Sequence, residues 1–261
     1  MKYDEEIIDS YVITITSGKG GVGKSIIASN LANVLSNDYR VLIWDANMDF
    51  PNQHIMFGVE PPVRVNDVYE SNVHVSRAVF NIKKNLDLLA DTPARGDMQE
   101  FDSSVILDVY RQLLIESKYD FIIIDTPAII SETLLQCCNI SDLIAVVVND
   151  EPTSLLDAYG LLKILLPYIS EEYINMIVNN VIDIEDSDEI SDKLNMATEK
   201  FLDIKLNNLG FIPYNRNVRQ SIVQQTLLTN SKPESEVSEA IKNISKKILN
   251  KLELEEKINN I

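Results

Sequence analysis

The residues most able to do chemistry lie in one short run, Gly18-Lys19-Gly20-Gly21-Val22-Gly23-Lys24-Ser25, directly after the apolar stretch YVITIT. The spacing satisfies G-x-x-x-x-G-K-[ST], and a helical pattern follows, which is the strand–loop–helix setting a phosphate-binding loop requires. Glycines let successive backbone N–H groups turn inward around phosphate oxygens, and the N-terminus of the following helix adds partial positive charge. In that chemistry Lys24 reaches the β- and γ-phosphates of a nucleotide, and the Ser25 hydroxyl ligates Mg2+. The run from Gly18 through Ile26 is therefore the expected phosphate site. Two carboxylates complete it: Asp45 closes VLIWD and Asp125 closes FIIID. A carboxylate at the carboxyl end of a buried strand is well placed to hold Mg2+ through water, so the expected metal set is Ser25, Asp45 and Asp125.

These residues need a scaffold, and the chain supplies an alternation of apolar runs and helical patterns. Residues 11–16, 41–44, 86–90, 121–124, 143–148, 174–178 and 209–212 read as strands. Most are continuous apolar runs, as expected for parallel strands covered on both faces. Helical patterns occupy 25–35, 103–116, 154–166, 187–201 and 218–226, and a final one runs from about 235 to 252 behind Pro233. The expected fold class is α/β: a doubly wound, mostly parallel sheet of about seven or eight strands flanked by helices. Such sheets bind ligands at the carboxyl ends of their strands. No repeat or linker divides the 261 residues, so a single domain over 1–261 is expected.

Bulk properties narrow the function classes. With 45% hydrophobic and 24% charged residues the composition is that of a soluble protein. The acidic start MKYDEEIIDS lacks the order of a signal peptide, which leads us to expect a cytoplasmic protein. A net charge of −17, from 40 acidic against 23 basic residues, disfavours nucleic acid as a partner. The two cysteines, Cys137 and Cys138, are adjacent and expected on a helix, with packing as their role. No C-x-x-C pair supports an iron–sulfur or redox function.

With Lys19 included, KGGVGKS matches the deviant Walker A signature, and the chain resembles the MinD/ParA family of ATPases. The resemblance spans Val12 to about Leu252 and implies ATP and Mg2+ as cofactors. It also implies that Lys19 reaches across an ATP-dependent homodimer to the partner's phosphates. Asp125-Thr126-Pro127-Ala128 is similar to the family's D-[ST]-P-A switch. The run D-A-N-M-D-F-P-N-Q-H-I-M-F-G-V from Asp45 follows the family's first switch, with Asn52 and Gly58 in register. Asn47 then occupies the slot of the aspartate credited with placing the attacking water. The implied catalytic set is Lys19, Lys24, Asn47 and Asp125. Asparagine accepts a hydrogen bond but carries no charge and takes no proton. Impaired hydrolysis is expected, since losing a positioned base costs about 10²–10⁴-fold in rate. Asp49, where the family has Gly, could approach the γ-phosphate by another path.

Later segments point to one branch. Glu151-Pro152-Thr153-Ser154-Leu155-Leu156-Asp157-Ala158-Tyr159 is similar to a run in FlhG/FleN proteins, the MinD-like regulators of flagellar number and placement. There Asp157 would lie near the dimer interface. Asn179, Pro213 and Asn215 match residues that flank adenine in relatives, with Asn215 replacing an Asp. About ten residues precede the first strand, so the branch's N-terminal extension is not expected. For ILNKLELEEKINNI, a helix docked on the core is preferred to a membrane contact, because its glutamates would be repelled by anionic lipid. The expectation is an ATP-dependently dimerising switch with an unidentified protein partner. Its alternatives are a non-hydrolysing ATP-bound scaffold and a ParA-type DNA-partition ATPase.

Overall fold

The structure is a computed structural model and describes residues 10–47, 50–71, 73–91, 104–116 and 118–259. In chain order its elements are β1 (Tyr11–Thr16), α1 (Lys24–Leu35), β2 (Val41–Asp45), α2 (Gln53–Phe57), α3 (Val65–Ser71), β3 (Val79–Lys83), β4 (Leu86–Leu89), α4 (Ser104–Glu116) and β5 (Phe121–Asp125). Then come α5 (Glu132–Asn139), β6 (Leu143–Val148), α6 (Pro152–Leu165), β7 (Ile174–Val181), α7 (Ile184–Leu202), β8 (Asn207–Pro213), α8 (Arg216–Val223), α9 (Leu228–Ser231) and α10 (Glu236–Asn259). The strands form an eight-stranded sheet in the order β3-β4-β2-β5-β1-β6-β7-β8. Every neighbouring pair is parallel except β3 and β4 at one edge.

The continuous apolar runs have a simple cause. Successive side chains of a strand point to opposite faces, so a strand covered on both faces needs an apolar residue at every position. In β2, Val41 and Ile43 face a core with Ile27, Leu31, Ile241 and Ile248, under α1 and α10. Leu42 and Trp44 face the other side, against Val109 and Leu113 of α4. Farther along the same side, Ile144 and Val146 of β6 pack with Leu161 and Leu165 of α6 and Leu194 of α7.

The elements missing from the sequence reading are short or half-buried. β3 is an antiparallel edge strand whose residues are at most partly buried, so VFNIK shows no core pattern. α2 has five residues and ends at Gly58, whose φ of +65° closes the turn. Helix starts also moved. α6 begins at Pro152, a residue whose fixed φ suits the first helical turn. α7 begins after Asp183, whose side chain accepts the Asp186 N–H. Both cysteines are buried in α5, and burial raises both thiol pKa values, Cys138 to about 12. The last helix docks on the sheet through Ile241, Ile244 and Ile248. Among the described residues no helix is long and apolar enough to cross a membrane.

Candidate functional site

Parallel pairing brings the two acidic strand ends side by side. Asp45 and Asp125 are register partners of β2 and β5, and β5 also pairs with β1, which feeds the glycine loop. The phosphate loop, both carboxylates and the start of α1 therefore meet at the carboxyl ends of the central strands, as the topology requires.

Within the loop, Gly21 (φ +81°) and Gly23 (φ +103°) adopt the left-handed conformation that glycine tolerates without strain. No atom lies within 4 Å of where a Gly21 Cβ would stand, so the backbone there faces open space. Gly18 has the opposite reason to be glycine: a Cβ would fall 2.1 Å from the Asp157 carbonyl of α6. The phosphate loop and the run containing Glu151 and Asp157 are thus packed backbone against backbone.

The two lysines diverge. Lys24 is buried and its Nζ donates to Ser17 Oγ at 2.9 Å, while the Ser17 hydroxyl donates to the Lys19 carbonyl at 2.6 Å. Burial lowers the Lys24 pKa and the Asp125 carboxylate partly offsets this. Lys19 is partly exposed and points the other way, pairing with the Glu151 carboxylate and donating to Thr153 Oγ1 at 2.8 Å. That hydrogen bond from Lys19, with a second from Asn149, holds the Glu151 pKa below its usual value.

Both aspartates are fully buried, and for each carboxyl burial raises the pKa. Asp45 is further raised by Asp125 and eased by three backbone donors. These are the N–H groups of Asn47 (3.3 Å), Asn52 (2.8 Å) and Gln53 (2.8 Å). Most of its lone-pair capacity thus shapes the loop that follows β2. Asp125 accepts from Gln53 Nε2 at 2.8 Å, and the adjacent Ser25 hydroxyl also favours its charged form. Its Oδ1 is buried and has no hydrogen-bond partner. An unpaired anionic oxygen beside a serine hydroxyl suits a cation, so the residues present fit Mg2+.

Asn47 lies in the same loop, but its Nδ2 donates to the Phe50 carbonyl at 3.0 Å. Phe50 itself is 77% exposed. Asp49 lies outside the described residues.

A cleft of about 570 Å³ continues from the loop, lined by Gly21, Val22, Gly23 and Ile26 on one side and by Asn179, Pro213, Tyr214 and Asn215 on the other. Asn179 donates Nδ2 to the Val22 carbonyl at 2.7 Å and crowds the position of a Gly23 Cβ, so it braces the phosphate loop. Asn215 caps α8 by accepting the Asn217 N–H at 2.9 Å, a task its oxygen performs as an aspartate would. Of the residues expected from sequence, Gly21, Val22, Gly23, Ile26, Asn179, Pro213 and Asn215 line this cleft.

The sequence reading overlooked Gln53. It is fully buried, and its side chain touches both the start of α1 and Asp125. An amide inside a five-residue helix leaves no periodic signal, and only tertiary contact reveals it.

Comparison with known proteins agrees with this fold. Residues 9–249 match the ParA family, described as "NUBPL iron-transfer P-loop NTPase". Antiactivator FleN of Pseudomonas aeruginosa is 27% identical over 241 residues, covering 91% of this chain and 85% of FleN. Flagellum site-determining protein YlxH of Helicobacter pylori is 27% identical over 244 residues, covering 92% and 82% respectively. Among solved structures, septum site-determining protein MinD from Pyrococcus horikoshii, complexed with Mg-ADP, superposes with a TM-score of 0.77. It is 22% identical and covers 92% of this chain and 96% of its own, a likeness of fold.

Proposed function

The chain belongs to the ParA/MinD family of P-loop NTPases, and on that premise we propose that it is an ATP-binding switch of the FlhG type that dimerises when ATP and Mg2+ are bound. The observation that carries this reading is the divergence of the two loop lysines. Lys24 is buried against Ser17 inside its own loop, while Lys19 stands at the rim, held by Glu151 and Thr153. A lysine needed only for its own nucleotide has no reason to stand outside the loop. Lys19 can leave an exposed ion pair, weakened by solvent screening, for the phosphates bound to a second copy.

In the bound state the loop N–H groups and Lys24 hold the phosphates, and Asn179 fixes the loop at Val22. Ser25 and Asp125 would hold Mg2+, which supplies positive charge against the phosphate oxygens. Asp45 positions the first acidic loop through its three N–H contacts. Sizing of the purified protein with ADP, ATP and ATP plus Mg2+ tests the proposal, alongside Lys19→Ala. ATP with Mg2+ should double the mass of the wild type and leave the variant monomeric. If neither nucleotide nor Lys19 affects dimerisation, the switch reading fails.

Hydrolysis is proposed to be slow, because Asn47 brings no carboxylate to the loop and its amide is occupied by Phe50. A second reading, a non-hydrolysing scaffold, draws on that same contact. A wild type that already turns over ATP as fast as Asn47→Asp would eliminate the scaffold. The name of YlxH, a flagellum site-determining protein, and the resemblance to FlhG-type regulators of flagellar number support a switch that governs the number or placement of flagella. A deletion strain whose flagellar pattern is unchanged would exclude that assignment. Contact of α10 with a membrane belongs to the same proposal only if vesicles of anionic lipid retain the ATP-bound protein.

A further inference from the structure

Gln53 makes contacts that no packing role requires. Its backbone N–H donates to Asp45 Oδ2 at 2.8 Å, and its side-chain Nε2 donates to Asp125 Oδ2 at 2.8 Å and to the Ser25 carbonyl at 3.1 Å. One residue therefore joins the first acidic loop, the second acidic strand end and the start of α1. The amide orientation follows from chemistry: the reversed amide would set its oxygen against two acceptors. Oε1 is then left buried with no donor. Asp125 Oδ1 is likewise buried and unpartnered. Two unmet acceptors in one buried site call for the same remedy, a cation with its bound water: the cation for the carboxylate and a water O–H for the amide oxygen.

The other end of Gln53 leads outward. It is the first residue of α2, and the same Asp45 that accepts its N–H also accepts those of Asn52 and Asn47. Asn47 is tied in turn to Phe50, whose side chain is exposed. Hydrogen bonds thus link Asp125 to Phe50 by way of Gln53, Asp45 and Asn47.

We infer that Gln53 is a positioning residue that couples Mg2+ at Asp125 to Asn47 and Phe50, so that Phe50 reports whether the nucleotide carries its metal. The inference rests on the proposed reading of Asp125 as the Mg2+ carboxylate. It is tested with full-length protein in a Phe50→Trp background, with Trp44 fluorescence subtracted using the parent. A fluorescent ATP analogue is bound in EDTA, Mg2+ is titrated in, and emission is followed. With Gln53 present, Mg2+ should shift the emission saturably. Gln53→Leu should retain analogue binding in EDTA within about threefold while the half-saturating Mg2+ rises about tenfold, the worth of one charge-assisted hydrogen bond. Its emission shift should be lost. Gln53→Glu keeps the length but faces Asp125 with another carboxylate, so it should weaken the EDTA state and recover on adding Mg2+. This variant also carries the test if Gln53→Leu does not fold. An unchanged Mg2+ midpoint and emission shift in either folded variant overturns the inference and makes Gln53 a core filler. A wild type that binds no ATP analogue overturns the proposed function, and this inference with it.

Discussion

At the scale of single residues, the site is a problem of placing charge where water is excluded. Asp45 and Asp125 stand as register partners, both fully buried, and burial raises the pKa of each. A carboxyl whose folded pKa is raised binds its proton more tightly in the folded state than in the unfolded chain. Its stabilising contribution is complete below the unfolded value, about 3.9, and is lost as pH rises through the folded value. The contribution of these two carboxyls to the stability of the nucleotide-free protein is therefore expected to fall as pH rises from about 4 through that raised value, against the opposite trend of Asp120 and Glu151, whose pKa values are lowered. Asp125→Asn removes one of the two charges. Its melting temperature should exceed that of the wild type by a margin that grows over this window, about 2–4 °C for each kcal/mol relieved. Mg2+-dependent stabilisation by ATP should vanish in the same variant. Melting curves at several pH values, with and without Mg-ATP, check both outcomes. A constant margin across pH would contradict the charge argument. At Asn47 the expectation concerns rate: Asn47→Asp should raise ATP turnover about 10²-fold or more if the restored carboxylate reaches the attacking water. The substitution also removes the donor to the Phe50 carbonyl, so turnover should be measured together with nucleotide affinity.

At the scale of elements, the phosphate loop depends on supports distant in sequence. Gly18 lies against the backbone of α6 at Asp157, and Asn179 at the end of β7 grips the Val22 carbonyl. Gly18→Ala would drive a methyl group into a backbone carbonyl that cannot swing aside as a side chain could. We expect a loss of about 1–3 kcal/mol, in the range of overpacked sites, and a loss of ATP binding exceeding that of a surface substitution. Denaturant unfolding and analogue binding measure the two effects. If Gly18→Ala binds normally, α6 can yield, and the loop does not rely on it. At the far side of the cleft, Asn215→Ala removes the α8 cap and should cost about 1 kcal/mol, whereas Asn215→Asp should keep it.

At the scale of the whole molecule, the proposed dimer would bring together two chains of net charge −17 each. Two such bodies repel at long range, and salt screens that repulsion within about 10 Å at 0.1 M. ATP-dependent dimerisation is therefore expected to strengthen when salt is raised from about 0.02 to 0.15 M. Weakening over the same range, read by sedimentation, would mean that local attraction at Lys19 dominates. The same charge sets the expectation for DNA: no ATP-dependent, salt-sensitive binding to non-specific duplex should be found.

How far the sequence reached depended on whether a feature is local. The phosphate loop, the strand-terminal Asp45 and Asp125 and the covered parallel sheet were all legible. Each is written in a contiguous run whose residue types follow from backbone freedom, charge or two-sided burial. What the run of letters left open was direction and partnership. Nothing in KGGVGKS says that Lys19 turns to Glu151 while Lys24 turns inward. Nothing in NQHIMF says that Gln53 bridges Ser25 and Asp125, and nothing near Gly18 announces Asp157. Those contacts join residues separated by 28 to 139 positions, and only the parallel packing of β2, β5, β1 and β6, with the helices above them, brings them together. Sequence alone determined that this protein carries a nucleotide-phosphate site on an α/β sheet. The tertiary structure decided how its charges are paired, because pairing depends on which strand ends meet.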